Sequence, residues 1–517
     1  MSEMRNTIHI SISCCFEGEK IMRDVPYHPR KIPKYSFPIS GKSLETVFSR
    51  CEDFELRPVW PGGVPTEGVS VCWLDGVVSG KNLSADVLRP LTDWARCADS
   101  GADLMEQLLR GAVWSYSVER CDTMDDLVAA VTGGSCAVVF DREKAAVTFE
   151  VRTDNTRSVS EPTVEKSVKG GKDAFVEVLR TNTALVRKRL QTPELKLLQP
   201  TVGRKSGTKV GILYCEGVAD PEMLAELLRR VEAIDVDGLT SAGGLEQYIT
   251  DQPRSPFPQL LHTERPDRFA AELLAGRIGI LVDGLPVGFL LPATFARFLQ
   301  VAEDRAQNFL VASGLMLLRW VSTLLSLLFP ALLVAVCMYH QEMIPTKLLL
   351  SMIEAKQQVP FSVAMEVLTT LIAFELLMEA GIRLPDPVGD TVSIIGALIV
   401  GQSAVEARVV SPITVIVVAT TAICGFTLPS RDLGAALRLG RFAMVLLAVL
   451  FGLYGIVLGT ALLVWYLCTL ETFGAAYTAP MSEGGLRETL AAVLRPPLPS
   501  EKLRESALRT PNRRRQK

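Results

Sequence analysis

The stretch Phe309-Leu-Val-Ala-Ser-Gly-Leu-Met-Leu-Leu-Arg-Trp-Val-Ser-Thr-Leu-Leu-Ser-Leu-Leu-Phe-Pro-Ala-Leu-Leu-Val-Ala-Val-Cys-Met-Tyr339 contains one charged side chain, Arg319. About 20 apolar residues suffice to cross a hydrocarbon core roughly 30 Å thick. The stretch therefore reads as a membrane span, with Pro330 expected to kink it. A proline frees a carbonyl one turn back, and neighbouring helices can satisfy it. This span divides the chain. Residues 1–306 read as a soluble protein, and 307–470 hold further apolar runs. The whole chain has 517 residues, a mean hydropathy of +0.25 and a net charge of −3.

Toward the C-terminus, residues 345–358 read as an interfacial amphipathic helix. Phe361–Gly381 reads as a second span and holds Glu366, Glu375 and Glu379. Residues 384–412 are apolar enough to enter a bilayer, yet carry Asp390, Thr391, Gln402, Ser403, Glu406 and Arg408. Such groups persist in hydrocarbon where they face protein or water. On a helix, Thr391, Gln402 and Glu406 fall within about 60° of one another, with Ile395 and Leu398 between them. That pattern fits a hydrated pore with an apolar constriction. It also fits a packed bundle in which Gly389, Gly396 and Gly401 allow close approach. Glu375 and Glu379 share a face and could pair with Arg383 or Arg408, or bind an ion. Ile413–Leu428 and Phe442–Leu467 complete about five membrane segments. Five crossings put Arg431, Arg438 and Arg441 on the side of the N-terminal domain and the basic tail 471–517 opposite. A re-entrant 388–407 reverses both, so charge counting does not decide. The tail is expected to be disordered.

Toward the N-terminus, two α/β units follow one order. Strand Val69–Leu74 leads to a helix capped by Ser84, then helix 124–131 and a hairpin through Asp141. Strand Val210–Cys215 leads to helix Pro221–Val231, then helix 266–275 and a hairpin about Asp283-Gly284. Gly76 to Gly217 spans 217 − 76 = 141 residues and Asp141 to Asp283 spans 283 − 141 = 142, which indicates duplication. The expected domains are an unplaced extension 1–68, a first module 69–160, and a linker helix with a second module over 161–306. The membrane domain covers 307–470. The basic helix 180–190 reads as a solvated or inter-module face rather than a binding box. No phosphate loop, dinucleotide fingerprint, nucleophile elbow or HExxH occurs, and Asp75, Asp141 and Asp283 read as turn formers, so no enzyme or cofactor is expected. Eleven cysteines without CxxC and four scattered histidines predict no metal site and a reducing, cytoplasmic location for the soluble part. The charge balance predicts no nucleic-acid partner.

Ser255–Arg268, Gly276–Gly284, Met343-Ile-Pro-Thr346, Glu379–Pro385, Val392–Ala407 and Ser411-Pro412 together resemble the A subunit of GerA-type spore germinant receptors. The likeness runs colinearly from about Glu161 to Pro480. It implies a multi-pass protein of the spore inner membrane, partnered by a transporter-like B subunit and a lipoprotein C subunit. It also implies a homo-oligomer, a pentamer, forming a nutrient-gated channel for monovalent cations in the lipid bilayer. Thr391, Gln402 and Glu406 would then line the path, Ile395 and Leu398 would constrict it, and Glu366, Glu375 and Glu379 stand as second-line acidic candidates. The stage V sporulation homologue of the A subunit shares the same motifs.

Overall fold

The computed structural model describes residues 34–59, 68–94, 101–113, 117–152, 162, 165, 169–239, 241–383 and 402–516. The first sheet contains β1 (Phe54–Pro58), β2 (Val69–Leu74), β3 (Val118–Cys121), β4 (Ser135–Phe140) and β5 (Ala145–Glu150) in the order β1-β2-β4-β5-β3. The second contains β6 (Leu195–Leu198), β8 (Thr208–Cys215), β9 (Leu261–Thr263), β10 (Ile278–Val282) and β11 (Gly288–Leu291) in the order β6-β8-β10-β11-β9. The two-residue β7 (Thr201–Val202) pairs with β8. All pairings in both sheets are antiparallel.

The registers repeat as well as the order. Phe54 faces Leu74 as Leu195 faces Cys215, and 195 − 54 = 141. Cys72 faces Ala137 as Leu213 faces Gly279, and Val139 faces Ala146 as Leu281 faces Gly288, where 279 − 137 = 142. A one-residue slip would exchange core and solvent faces along a strand, so matched registers mean matched burial patterns.

The repeat reaches further toward the N-terminus than the sequence reveals. Helix α1 (Gly41–Val47) precedes β1, and the Asp141 carboxylate accepts from Gly41 N at 2.8 Å. Helix α2 (Met124–Thr132) packs against the first sheet with Leu127, Val128 and Val131 buried. Helix α3 (Leu179–Arg189) precedes β6, and Asp283 accepts from Leu179 N at 3.0 Å. Each hairpin aspartate therefore caps the helix leading its own sheet, and residues 41–58 belong to the first module rather than to a separate extension. The helical segment 80–94 starts earlier than expected, with Ser79 in place of Ser84 as its cap.

The first sheet leans on the second through α3. Arg187 is buried and forks onto Asp53 at 2.7 and 2.8 Å, Arg180 pairs with Asp75, and Lys196 Nζ donates to the Val47 carbonyl at 3.0 Å. The basic helix is an inter-module face.

Helices α4 (Pro221–Glu232), α5 (Ala242–Ile249) and α6 (Pro266–Ala275) cover the second sheet. Buried Glu272 of α6 accepts from Arg277 at 2.8 Å and pairs with Arg297, and Arg277 also reaches Glu505 at 2.8 Å. Glu505 belongs to the tail, which is ordered where disorder was expected. It carries helix α12 (Leu486–Val493), and Tyr477 and Leu508 are fully buried. Buried apolar and paired charged side chains among its prolines hold it against the body, which composition alone does not disclose.

Among the described residues, two helices are long and apolar enough to cross a membrane, α7 (Phe309–Tyr339) and α11 (Arg431–Thr469). Between them lie α8 (Thr346–Lys356), with no buried residue, α9 (Val363–Arg383) and α10 (Pro412–Phe426). Helix α10 has 15 residues, about 22 Å of rise, short of the roughly 30 Å of a hydrocarbon core.

Helix α11 is not one rod. Gly452 has φ 60° and ψ −139°, outside helical values. A methyl group on Gly459 would lie 2.7 Å from Met444 Sδ, and one on Gly455 would strike the Leu447 carbonyl. Fifteen residues along a straight helix separate atoms by about 22 Å, so the chain folds back at Gly452 into two antiparallel arms. Glycines permit this close approach. Tyr339, at the far end of α7, packs on Gly452 and donates its hydroxyl to the Val449 carbonyl at 2.5 Å.

Both open ends of this hairpin touch the second module. His262 of β9 stands with Nδ1 3.1 Å from Asp432 Oδ2 and Nε2 3.4 Å from Glu246 Oε2 of α5. Burial alone would lower the His262 pKa, but the facing Asp432 and Glu246 carboxylates outweigh it and raise it from 6.5 to about 9. At the other end, Gln252 donates to the Thr469 carbonyl at 3.4 Å.

Candidate functional site in the membrane half

Three polar constellations occur among the described membrane residues. The first is built on Glu366, in the first turn of α9 and almost fully buried. Its Oε2 accepts from Ser411 N at 2.9 Å and from the Thr414 hydroxyl at 3.1 Å. Ser411 is the N-cap residue of α10, Pro412 follows at the first helical position, and the Ser411 and Thr414 hydroxyls lie 2.9 Å apart. A carboxylate from one helix thus caps another, where unpaired N–H groups and the helix dipole favour negative charge. Glu366 Oε1 is buried with no hydrogen-bond partner among the described residues.

The second constellation is centred on Glu375. Glu375 faces Arg438 at 3.4 Å and Arg441 at 4.0 Å, both from the first arm of α11. Buried Arg441 donates through Nε to the Ser326 carbonyl at 2.8 Å. Ser326 is four residues before Pro330, whose ring removes the N–H that would have bonded that carbonyl. The expected neighbour-helix compensation is therefore an arginine. For Glu375, the observed partners are Arg438 and Arg441. Both arginines were expected in the connection before the last span, and they lie within α11 instead. Glu379, one turn beyond Glu375, is exposed.

The third is the short helix 402–406, which ends before Arg408 turns left-handed at φ 58°. Gln402 donates to Glu406 Oε1 at 3.0 Å, and both side chains are exposed. Together with Val405, Pro412, Val415 and Ile416 they line a small recess of about 380 Å³. Glu366 and the Gln402–Glu406 pair therefore gather at one end of α10, the former on its buried side and the latter on its outer side. Thr391, Ile395 and Leu398 lie outside the described residues. The sequence analysis named Ser411-Pro412 as a motif but missed Ser411 and Thr414 as partners of Glu366, although the Ser-Pro dipeptide before an apolar run signals a helix start. It also missed Arg441 as the partner of Ser326, for which Pro330 was the available sign. No cluster of His, Cys, Asp or Glu fit for a metal occurs among the described residues.

Residues 42–507 match the family described as Bacillus/Clostridium GerA spore germination protein. The uncharacterized membrane protein YfkQ of Bacillus subtilis is 37% identical over 416 residues, covering 80% of each chain. Spore germination protein KA of the same organism is 35% identical over 444 residues, covering 85% of this chain and 81% of its own. The crystal structure of the N-terminal domain of the A subunit of the Bacillus megaterium spore germinant receptor GerK3 aligns at 28% identity with a TM-score of 0.39, covering 50% of this chain and 98% of that one. Matched along most of its length, the chain belongs to the GerA family of spore germination proteins.

Proposed function

We propose that this chain is the non-enzymatic membrane subunit of a nutrient germinant receptor, and that copies of it form a ring, a pentamer, around a gated path for monovalent cations. One observation carries the reading. The Gln402–Glu406 pair stands exposed beside Ile416, itself 63% exposed on an apolar helix. Polar side chains on such a face are costly against lipid. A ring that turned this face toward a central aqueous path would remove the cost, with Thr391 completing the lining and Ile395 and Leu398 the constriction. The soluble modules would lie in the cytoplasm, the ring in the spore inner membrane with about five segments per chain, and transporter-like B and lipoprotein C subunits would deliver the nutrient signal. The fold-back at Gly452 supports this sidedness, because it returns Arg431 and the basic tail to the soluble side, as the positive-inside preference requires.

Conductance of the purified chain in planar bilayers tests the proposal. Glu406→Gln is expected to reduce cation over anion selectivity, and Leu398→Ala to raise the closed-state current. Unchanged currents in both variants would sink the pore assignment, as would a monomeric mass of the detergent-solubilised protein. The second reading is a non-conducting scaffold. It is favoured by Glu366, whose carboxylate serves α10 as a cap; it predicts no current from any preparation.

A further inference from the structure

Where α7 leaves the second module, the docked tail closes over a cavity of about 1440 Å³. Its walls come from α6, the loop 294–306, the base of α7 and residues 480–515. Twelve lysine or arginine side chains line it against six aspartates or glutamates. Every one of those carboxylates already accepts hydrogen bonds within the fold: Glu272 from Arg277, Asp304 from Arg319 and Glu501 from Arg515 are examples. The cavity is therefore short of negative charge.

Two arginines define the deficit. Arg495 is 8% exposed, and its terminal nitrogens donate only to main-chain carbonyls, those of Asp304, Arg305 and Gln307. Its Nε has no hydrogen-bond partner, and no carboxylate pairs with it among the described residues. Arg305 forms no ion pair among the described residues either. Burial, with Arg297 and Arg515 close by, lowers its pKa from 12.5 to about 10. An uncompensated buried guanidinium costs several kcal/mol, and a bound anion would relieve it. Guanidinium forks match phosphate oxygens in geometry as well as charge. The volume exceeds the roughly 300–1,000 Å³ of a drug-sized site. The remaining lining is largely apolar, including Met316 of α7 and Leu490 and Leu494 of α12.

We propose that this cavity binds an organic phosphate, its phosphate held by Arg305 and Arg495 and its less polar part lying against α12 and α7. A phospholipid headgroup and a soluble phosphate ester share that chemistry, and the test separates them. The full chain in neutral detergent is titrated with glycerol 3-phosphate in one arm, at constant ionic strength. In the other arm the micelles carry increasing phosphatidylglycerol, with phosphatidylcholine as control, and Tm is read in both. A saturable Tm rise in the first arm identifies a soluble ester, and a rise confined to phosphatidylglycerol identifies a headgroup; either supports the site. Arg305→Gln is expected to weaken the apparent affinity at least about tenfold, the loss of one charge-assisted contact. Arg204→Gln, the same charge change at an exposed residue outside the lining, is expected to leave it unchanged. The proposal fails if neither probe raises Tm, if Arg305→Gln responds like the parent, or if Arg204→Gln loses the response equally. Arg305 is partly exposed, so the test does not depend on an Arg495 variant that fails to fold.

Discussion

The two sheets share strand order and register but fill their interiors differently. In the first, Leu127 of α2 lies above Ala137 and Ala146; in the second, the positions 142 residues on hold Phe269, Gly279 and Gly288. A methyl group on Gly279 would run into the Phe269 ring, and one on Gly288 would come within 2.7 Å of it. The larger ring of Phe269 occupies the room left by two missing methyl groups. The same frame thus accepts two complementary fillings, as expected where packed volume is fixed but its division among neighbours is not. The edges differ too. Exposed Arg120 bonds locally to Asp122, while its counterpart His262 reaches a membrane helix.

The comparison can be broken hardest at Arg277, whose counterpart is Ser135. Arg277→Met leaves buried Glu272 with one partner and frees Glu505, and is expected to cost about 3–5 kcal/mol. Chemical unfolding of the full chain in detergent reads this cost. Next comes pH. Because the folded pKa of His262 is raised, its contribution is complete below the unfolded value of 6.5 and fades as pH climbs through about 9. The loss is at most roughly 3 kcal/mol. A Tm profile from pH 6 to 10 should therefore slope downward, and His262→Asn should flatten it. A flat profile in the parent protein would remove the charged link to Asp432. Third, Gly279→Ala is expected to destabilise by about 1–3 kcal/mol through overpacking, and adding Phe269→Leu, which restores the first module's pairing, should recover most of it. If the double variant is no better than the single, the complementary-filling account is wrong. Smallest is Tyr339→Phe, which strips the Val449 carbonyl of its hydroxyl donor at the fold-back, about 1 kcal/mol by thermal melting.

Much of this was legible in the chain. The 141–142 residue offset disclosed the duplication because turn aspartates and glycines mark it at both ends of each unit. Helix α1 escaped notice because Gly41–Val47 is short and shares little with Leu179–Arg189. Only the aspartate capping each one reveals the equivalence. Apolar length revealed α7, but Gly452 is indistinguishable by composition from Gly455 and Gly459, which merely allow close packing. In the candidate site, single residues were legible and their partners were not. Glu375 was marked by its cost in lipid, whereas Arg438 and Arg441, some 60 residues on, looked like ordinary charges at a membrane edge. Glu366 was flagged for its acidity and proved to be a cap for α10, a role that depends on a tertiary contact across 45 residues of sequence.

The fold-back at Gly452 has a mechanical consequence. A straight α11 would be fastened to the soluble body at one end and would swing freely at the other. Folded, it is a pair of tongs with both handles held by the second module, one at Asp432 and one at Thr469. Its tips close on the Tyr339 ring. A tilt of the second module would push one handle and pull the other, turning its rotation into shear between the two arms of α11.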